Sequence, residues 1–162
     1  MNTLPQFKSD LIAGMDIRRE SAQSLVEAVN PDLNVHDNSE WTAKDLIAHL
    51  TAFEEDMVDA IQAFMEDEKY RLDLRGVTNI DDFNEMRRLE RADKTWEQVI
   101  KEWKSARDQL RGLIIAFPTD QLDIPFTTPF MQKYTLMQAI KGCGIHEKMH
   151  ITEIKKALET SQ

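Results

Sequence analysis

Between Thr42 and Phe64 the core-type residues recur every three or four positions: Leu46, His49, Phe53, Met57, Ala60 and Phe64. This is one stripe of a 3.6-residue period, which suits a helix and not a strand. The stripe begins where a helix can begin. Thr42 can cap the first free amides, and Asp45 can reach back to the capping residue, the reciprocal pair of a capping box. Thr95 with Gln98 and Thr135 with Gln138 repeat that signature. After Thr95, the run Trp96, Val99, Trp103, Ala106, Leu110 and Leu113 predicts a helix that Pro118 ends. After Thr135, a helix is expected to about Glu159. A further run from Pro5 to Val29 carries Leu11, Met15, Ile17, Leu25 and Val29, and Asn30-Pro31 stops it. Four long amphipathic helices must bury their stripes against one another. The expected fold is therefore all-α, a four-helix bundle in antiparallel or crossover order.

Only 5 Gly and 5 Pro in 162 residues agree with long helices. No internal repeat and no Gly- or Ser-rich linker divides the chain, so residues 1–162 are expected to form one domain. Two connections, Tyr70 to Thr95 and Pro118 to Tyr134, exceed the usual short loops. The first should hold a short helix from Asp81 to Arg91. The second, with Pro125 and Pro129, reads as a long loop or an irregular strand pair. Segments of this length can roof a site at one end of the bundle.

The net charge of −9 argues against nucleic acid as a partner, because phosphates call for a basic surface. It argues equally against anionic membranes. No apolar run approaches the ~20 residues of a membrane span. The first twenty residues interleave Lys8, Asp10, Asp16 and Arg18 with apolar ones, which is no signal peptide. The one cysteine, Cys143, excludes an intramolecular disulfide framework and suits a reducing cytoplasm. A cytoplasmic protein is expected.

The histidines carry the chemistry. His146 and His150 lie four residues apart, on one helix face and about 6 Å apart along the axis. His49 occupies the apolar stripe of another helix. Two imidazoles at that spacing and a third from a facing helix can make a mononuclear metal site with open positions. Neutral imidazole suits zinc, nickel, iron or copper. Each ring could instead be a hydrogen-bonded packing residue, and three on apolar stripes weigh against that. His36 lies in a polar loop as a solvated residue. The segment also spells His-Glu-x-x-His, with Glu147 as the base of a zinc protease. That layout needs a third ligand downstream, and no histidine follows His150. Glu147 is therefore expected to be an exposed helix residue.

Around these positions, Asp45 is either a cap or a hydrogen-bond acceptor that orients His49. Asp56, two turns after His49, is too far for coordination and reads as a buried polar or helix-edge residue. Cys143 faces the same region as His146, as a soft ligand or, with more weight, a small packing residue. Gly142 and Gly144 permit a close approach or leave room for a ligand. Arg87, Arg88 and Arg91 could bind the carboxylates of an acidic thiol, but the neighbouring Glu85, Glu90 and Asp93 favour a mixed solvated face.

In three segments the chain resembles the DinB/YfiT-like superfamily of metal-dependent four-helix bundle proteins. They are Trp41-Thr-Ala-Lys-Asp-Leu-Ile-Ala-His49-Leu50, Asp82-Phe83-Asn84 and His146-x-x-x-His150. The resemblance covers nearly the whole chain in order and spacing. It implies a divalent transition metal (zinc, nickel or iron) on His49, His146 and His150, with water or substrate at the remaining positions. It also implies a small-molecule substrate and reactions such as thiol S-transfer with a low-molecular-weight thiol, or metal-assisted hydrolysis. The expected protein is a metal-dependent enzyme with its three-histidine site at one end of the bundle. The alternative is a non-catalytic binding or sequestration protein whose metal or histidines are structural. Related bundles often pair, so a homodimer is a further expectation.

Overall fold

The computed structural model describes residues 5–161. Residues 1–4 and 162 lie outside the described residues, and with them the two ends of the expected domain and the first residues weighed for a signal peptide. Five helices follow one another: α1 (Gln6–Ala28), α2 (Ala43–Met65), α3 (Ile80–Leu89), α4 (Trp96–Ala116) and α5 (Leu136–Thr160). Thr42, Thr95 and Thr135 each form the expected capping box. Asn79 caps α3 by accepting from the Asp82 amide. The Pro-rich segment contains a two-residue antiparallel pair, β1 (Phe126–Thr127) and β2 (Lys133–Tyr134), with Phe126 opposite Tyr134.

α2 stops at Met65, because the run Glu66 to Lys69 offers no apolar residue to continue the packing. Asp67 takes a positive φ of 56° there. On α1, Ile17 is 67% exposed and does not belong to the buried face. Lys8 and Arg19 do, alongside Leu11, Ile12, Met15, Ala22 and Val26. Lys8 reaches the end of α4 and donates to the carbonyls of Ile115 (2.8 Å) and Phe117, acceptors that a helix C-terminus leaves free.

α2 packs on α4 and α1 on α5, with lesser α2–α5 and α1–α4 contacts closing the ring. The core divides into two apolar clusters. One takes Leu11 and Met15 of α1, Met57 and Ile61 of α2, Leu110 and Ile114 of α4, and Leu136 and Ile140 of α5. The other takes Val26, Leu46 and Ile47, Val99 and Trp103, and Ile151 and Ile154. Their order along each helix fixes the directions: α1 and α5 run parallel, α2 and α4 run parallel, and the two pairs oppose. The chain must therefore return the full length of the bundle between α2 and α4. The long 66–95 connection does this, and α3 packs on α2 on the way.

Between the clusters lies a charged layer with one residue from each bundle helix: Arg19, Glu54, Arg107 and Glu147, all buried. Arg19 donates to both oxygens of Glu54 at 3.0 and 3.1 Å and pairs with Glu147 at 2.9 Å. Arg107 pairs with Glu54 and donates to Glu147 at 3.1 Å. Arg19 also lies 3.7 Å over the Trp103 ring. Glu147, expected on the surface, is 3% exposed. Helical spacing alone gives its direction from His146, and the two arginines that draw it inward lie far away in sequence.

Candidate metal centre

The Thr42 capping box sets where α2 begins, and from there the helical repeat turns His49 inward, 8% exposed. α5 lies alongside and brings His146 and His150 to the same point. His146 Nε2 is 3.2 Å from His49 Nε2 and 3.1 Å from His150 Nε2, and one nitrogen from each of the three rings lies within 4.8 Å of the others. A tetrahedral ion with nitrogens at 2.0–2.1 Å would hold them about 3.3 Å apart. His150 Nδ1 lies 2.7 Å from Glu153 Oε2. A proton held there on Nδ1 leaves the Nε2 lone pair facing the other rings. Burial, with the neighbouring imidazoles, lowers His49 to about 3, and burial lowers His146 to about 4. Both rings stay neutral at physiological pH, the form that binds metal. The donor set thus fits a divalent transition metal.

Trp41 packs edge-on against His49, with ring centroids 5.6 Å apart. Phe53 lies 4.4 Å from His146 and 4.8 Å from Phe130. Gly142 makes this seat possible, since a Cβ there would lie 2.8 Å from the Phe130 ring. Gly144 likewise leaves space for Arg18, not for a ligand. Above His49 and His146 opens a cavity of about 420 Å³. Leu72 and Phe83 of the first long connection and Phe130 of the second help to wall it, and Asp56 and Arg87 supply its charge. The long segments do roof the site. However, the site lies on the flank between α2 and α5 rather than at an end, because the 66–95 connection runs along the bundle.

Several neighbours take places the sequence did not resolve. Asp45 caps α2 and lies 3.5 Å from Arg88, with no hydrogen bond to His49. Glu153 orients a ring instead, and its signal was the i,i+3 spacing from His150. Cys143 is buried, stands outside the imidazole group, and burial pushes its thiol up. His36 is exposed, 3.7 Å from Glu153. Arg87, Arg88 and Arg91 do not form a solvated face. Arg91 is 7% exposed and bonds Glu55 (2.5 Å) and Glu102 (3.0 Å). Arg88 bonds Glu85, which also accepts from the Trp41 indole at 3.0 Å. Packing of α3 on α2 covers these side chains, a tertiary event that charge alternation along one helix does not report.

Fold and site together define a four-helix bundle protein with a three-histidine pocket on its flank. The chain belongs to the DinB superfamily, whose family model matches residues 11–154. Among solved structures it is similar to YfiT from Bacillus subtilis, described as a probable metal-dependent hydrolase with an unusual four-helix bundle topology. The identity is 14%, the TM-score 0.75, and the match covers 99% of this chain and 91% of that one. It is similar to the colibactin self-resistance protein ClbS in complex with a dsDNA, at 16% identity and TM-score 0.75, over 94% and 95% of the two chains. An uncharacterised protein from Escherichia coli UTI89 matches at 15% identity and TM-score 0.75, over 98% and 96%. No curated protein matches the chain.

The ClbS complex corrects one expectation. The acidic net charge argues against nucleic acid as a partner, yet a protein of this fold is held in complex with dsDNA. Net charge sums over the whole surface, whereas binding depends on local charge. Here Arg18, Lys148 and Lys155 line one cleft of about 370 Å³ between α1 and α5. As for membranes, no helix among the described residues is long and apolar enough to cross one.

Proposed function

We propose that this protein is a mononuclear metal-dependent enzyme that hydrolyses a small organic molecule. The observation that carries the proposal is the convergence of three imidazole nitrogens beneath an apolar cavity. His49, His146 and His150 would hold zinc, nickel or iron. A divalent metal bound there supplies Lewis acidity toward water and toward a carbonyl or phosphoryl oxygen. The chain's own residues do the rest. Glu153 holds the proton on His150 Nδ1, and Phe53 and Phe130 exclude water from one side of His146.

YfiT's description supports hydrolysis. Transfer of a low-molecular-weight thiol has less support, since Arg87, Arg88 and Arg91 are already engaged by the chain's own carboxylates. Cys143 standing apart supports an open coordination sphere over a closed structural one. Elemental analysis of tag-free protein, followed by ester and amide screening with and without thiol, tests the proposal. About one metal per chain and a hydrolytic activity lost on chelation are expected. Wild-type protein that cannot be loaded with metal overturns it and leaves the non-catalytic binding protein.

A second reading is nucleic-acid contact, brought by the ClbS complex and the cationic cleft at Arg18. Salt-sensitive binding of duplex DNA, lost in Lys148→Glu/Lys155→Glu, supports it. Absence of binding at low salt rejects it.

A further inference from the structure

The cavity over the histidines has a second polar end. Asp56 lies two turns beyond His49 on α2, about 10 Å along the axis, and lines the same cavity. Between these ends the walls are apolar, with Phe53, Leu72, Phe83 and Phe130 among them. Asp56 Oδ1 accepts from Arg87 at 3.3 Å, whereas Oδ2 makes no hydrogen bond among the described residues. Arg87 is not dedicated to this end, because it also pairs with Glu90 at 2.9 Å and Glu55 at 3.7 Å, carboxylates that Arg75 and Arg91 hold in turn. Asp56 is left with a share of one guanidinium and one oxygen free of hydrogen bonds among the described residues. Past Asp56 the cavity adjoins an open cleft of about 400 Å³, which adds Asp59 and Asp73 beside Arg71 and Arg75. Arg75 is itself paired with Glu90. Burial lifts Asp56 to about 6, a carboxylate that is charged at neutral pH and gains from any cation brought to it.

We propose that this cavity takes an elongated organic molecule with an apolar middle and a protonated amine at its far end, the amine lying on Asp56 and the reacting group facing the histidines. The placement of the reacting group rests on the metal-centre reading, and the amine end does not. An anion at the Asp56 end would meet the unbonded Asp56 oxygen, with Glu55 and Asp59 in the adjoining cleft. A neutral alcohol can donate one hydrogen bond but brings no opposite charge. An ammonium answers the carboxylate with both a hydrogen bond and a charge.

Calorimetry on the metal-loaded full chain tests this with 4-phenylbutylamine, 4-phenylbutanol and 4-phenylbutyrate. The amine is expected to bind about tenfold or more tighter than either analogue, the usual worth of a hydrogen bond to a charged group. Asp56→Asn should abolish the preference and leave binding of the alcohol unchanged, which also reports an intact cavity. The same preference in the His49→Ala/His146→Ala/His150→Ala variant supports the amine end whatever becomes of the metal reading. Equal or tighter binding of the carboxylate overturns the proposal, as does a preference that survives Asp56→Asn, or binding of none of the three at millimolar concentration.

Discussion

Two polar clusters sit side by side in this bundle and obey opposite rules. The layer of Arg19, Glu54, Arg107 and Glu147 is closed: two positive and two negative charges satisfy one another away from water. The imidazole cluster is open. Its three nitrogens face one another with no opposite charge among them, two of the rings are held neutral, and a cavity reaches it. His146 and Glu147 are consecutive residues, yet one belongs to each cluster. The closed layer joins all four bundle helices, and α5 carries His146 one residue before Glu147 and His150 three residues after it. Buried polarity complete in itself serves structure, and buried polarity left incomplete marks the place for a ligand.

The largest expected contrast is in metal content. His49→Ala should lose stoichiometric metal altogether, measured by elemental analysis after loading. Without metal its stability should stay within about 1 kcal/mol of wild type, since the deleted ring was desolvated and unpaired by charge. Arg107→Ala should do the reverse. It strands Glu54 and Glu147 in the core, which costs about 3–5 kcal/mol, read by urea unfolding of chelator-treated protein. At temperatures where the variant is folded it should still load metal. Equal destabilisation by the two substitutions would erase the distinction between the clusters.

Acid separates them next. His49 and His146 titrate near 6.5 when unfolded and near 3 and 4 when folded and metal-free. Below pH 6.5 the unfolded chain therefore binds protons that the folded chain refuses. Their contribution to stability is complete above 6.5 and is lost as pH falls toward 4, at about 1.4 kcal/mol per pH unit for each ring. Asp56 acts the other way, because its folded value near 6 lies above the unfolded 3.8, so lowering the pH from 6 to 4 favours folding. The His49→Ala/His146→Ala variant should show a slope between pH 4 and 6 that is less positive by about 2.7 kcal/mol per unit. An unchanged slope would mean the rings are already accessible to protons.

How much of this was legible depended on the range of the interaction. The four long helices and their caps follow from local spacing: Thr42 with Asp45, Thr95 with Gln98 and Thr135 with Gln138 are all within one turn. The histidine set was legible because each ring sits on an apolar stripe, where a polar residue calls for an explanation. The charged layer was not, since Arg19 and Glu54 are 35 positions apart and Arg107 and Glu147 are 40. Each is an ordinary charged residue in its own helix. Ile17 was misassigned for the same reason, because the arginine two positions on takes the inward direction. The flank position of the site was hidden too, since it depends on α2 and α4 running parallel, which no single segment encodes.

Glu153 is the finest of these tests, because it touches neither the charges of the cavity nor the closed layer. Its Oε2 lies 2.7 Å from His150 Nδ1, with the exposed His36 3.7 Å from the same oxygen. Glu153→Gln keeps the shape and offers a neutral amide oxygen to the same ring nitrogen. The imidazole then loses basicity and part of its fixed tautomer, and metal affinity should fall about tenfold to a hundredfold. Competition with a chelator measures this. Unfolding of the metal-free protein should hardly move, since the residue is half-buried at the surface. Glu153→Ala should weaken the metal further, as the ring becomes free to turn, and His36→Ala should leave the affinity as it was. A Glu153→Gln variant with wild-type affinity would show that packing by Trp41 and Phe53 orients the imidazoles by itself. The open cluster would then owe its geometry entirely to the helices that the charged layer joins, and Arg107→Ala should misplace the metal as well as destabilise the fold.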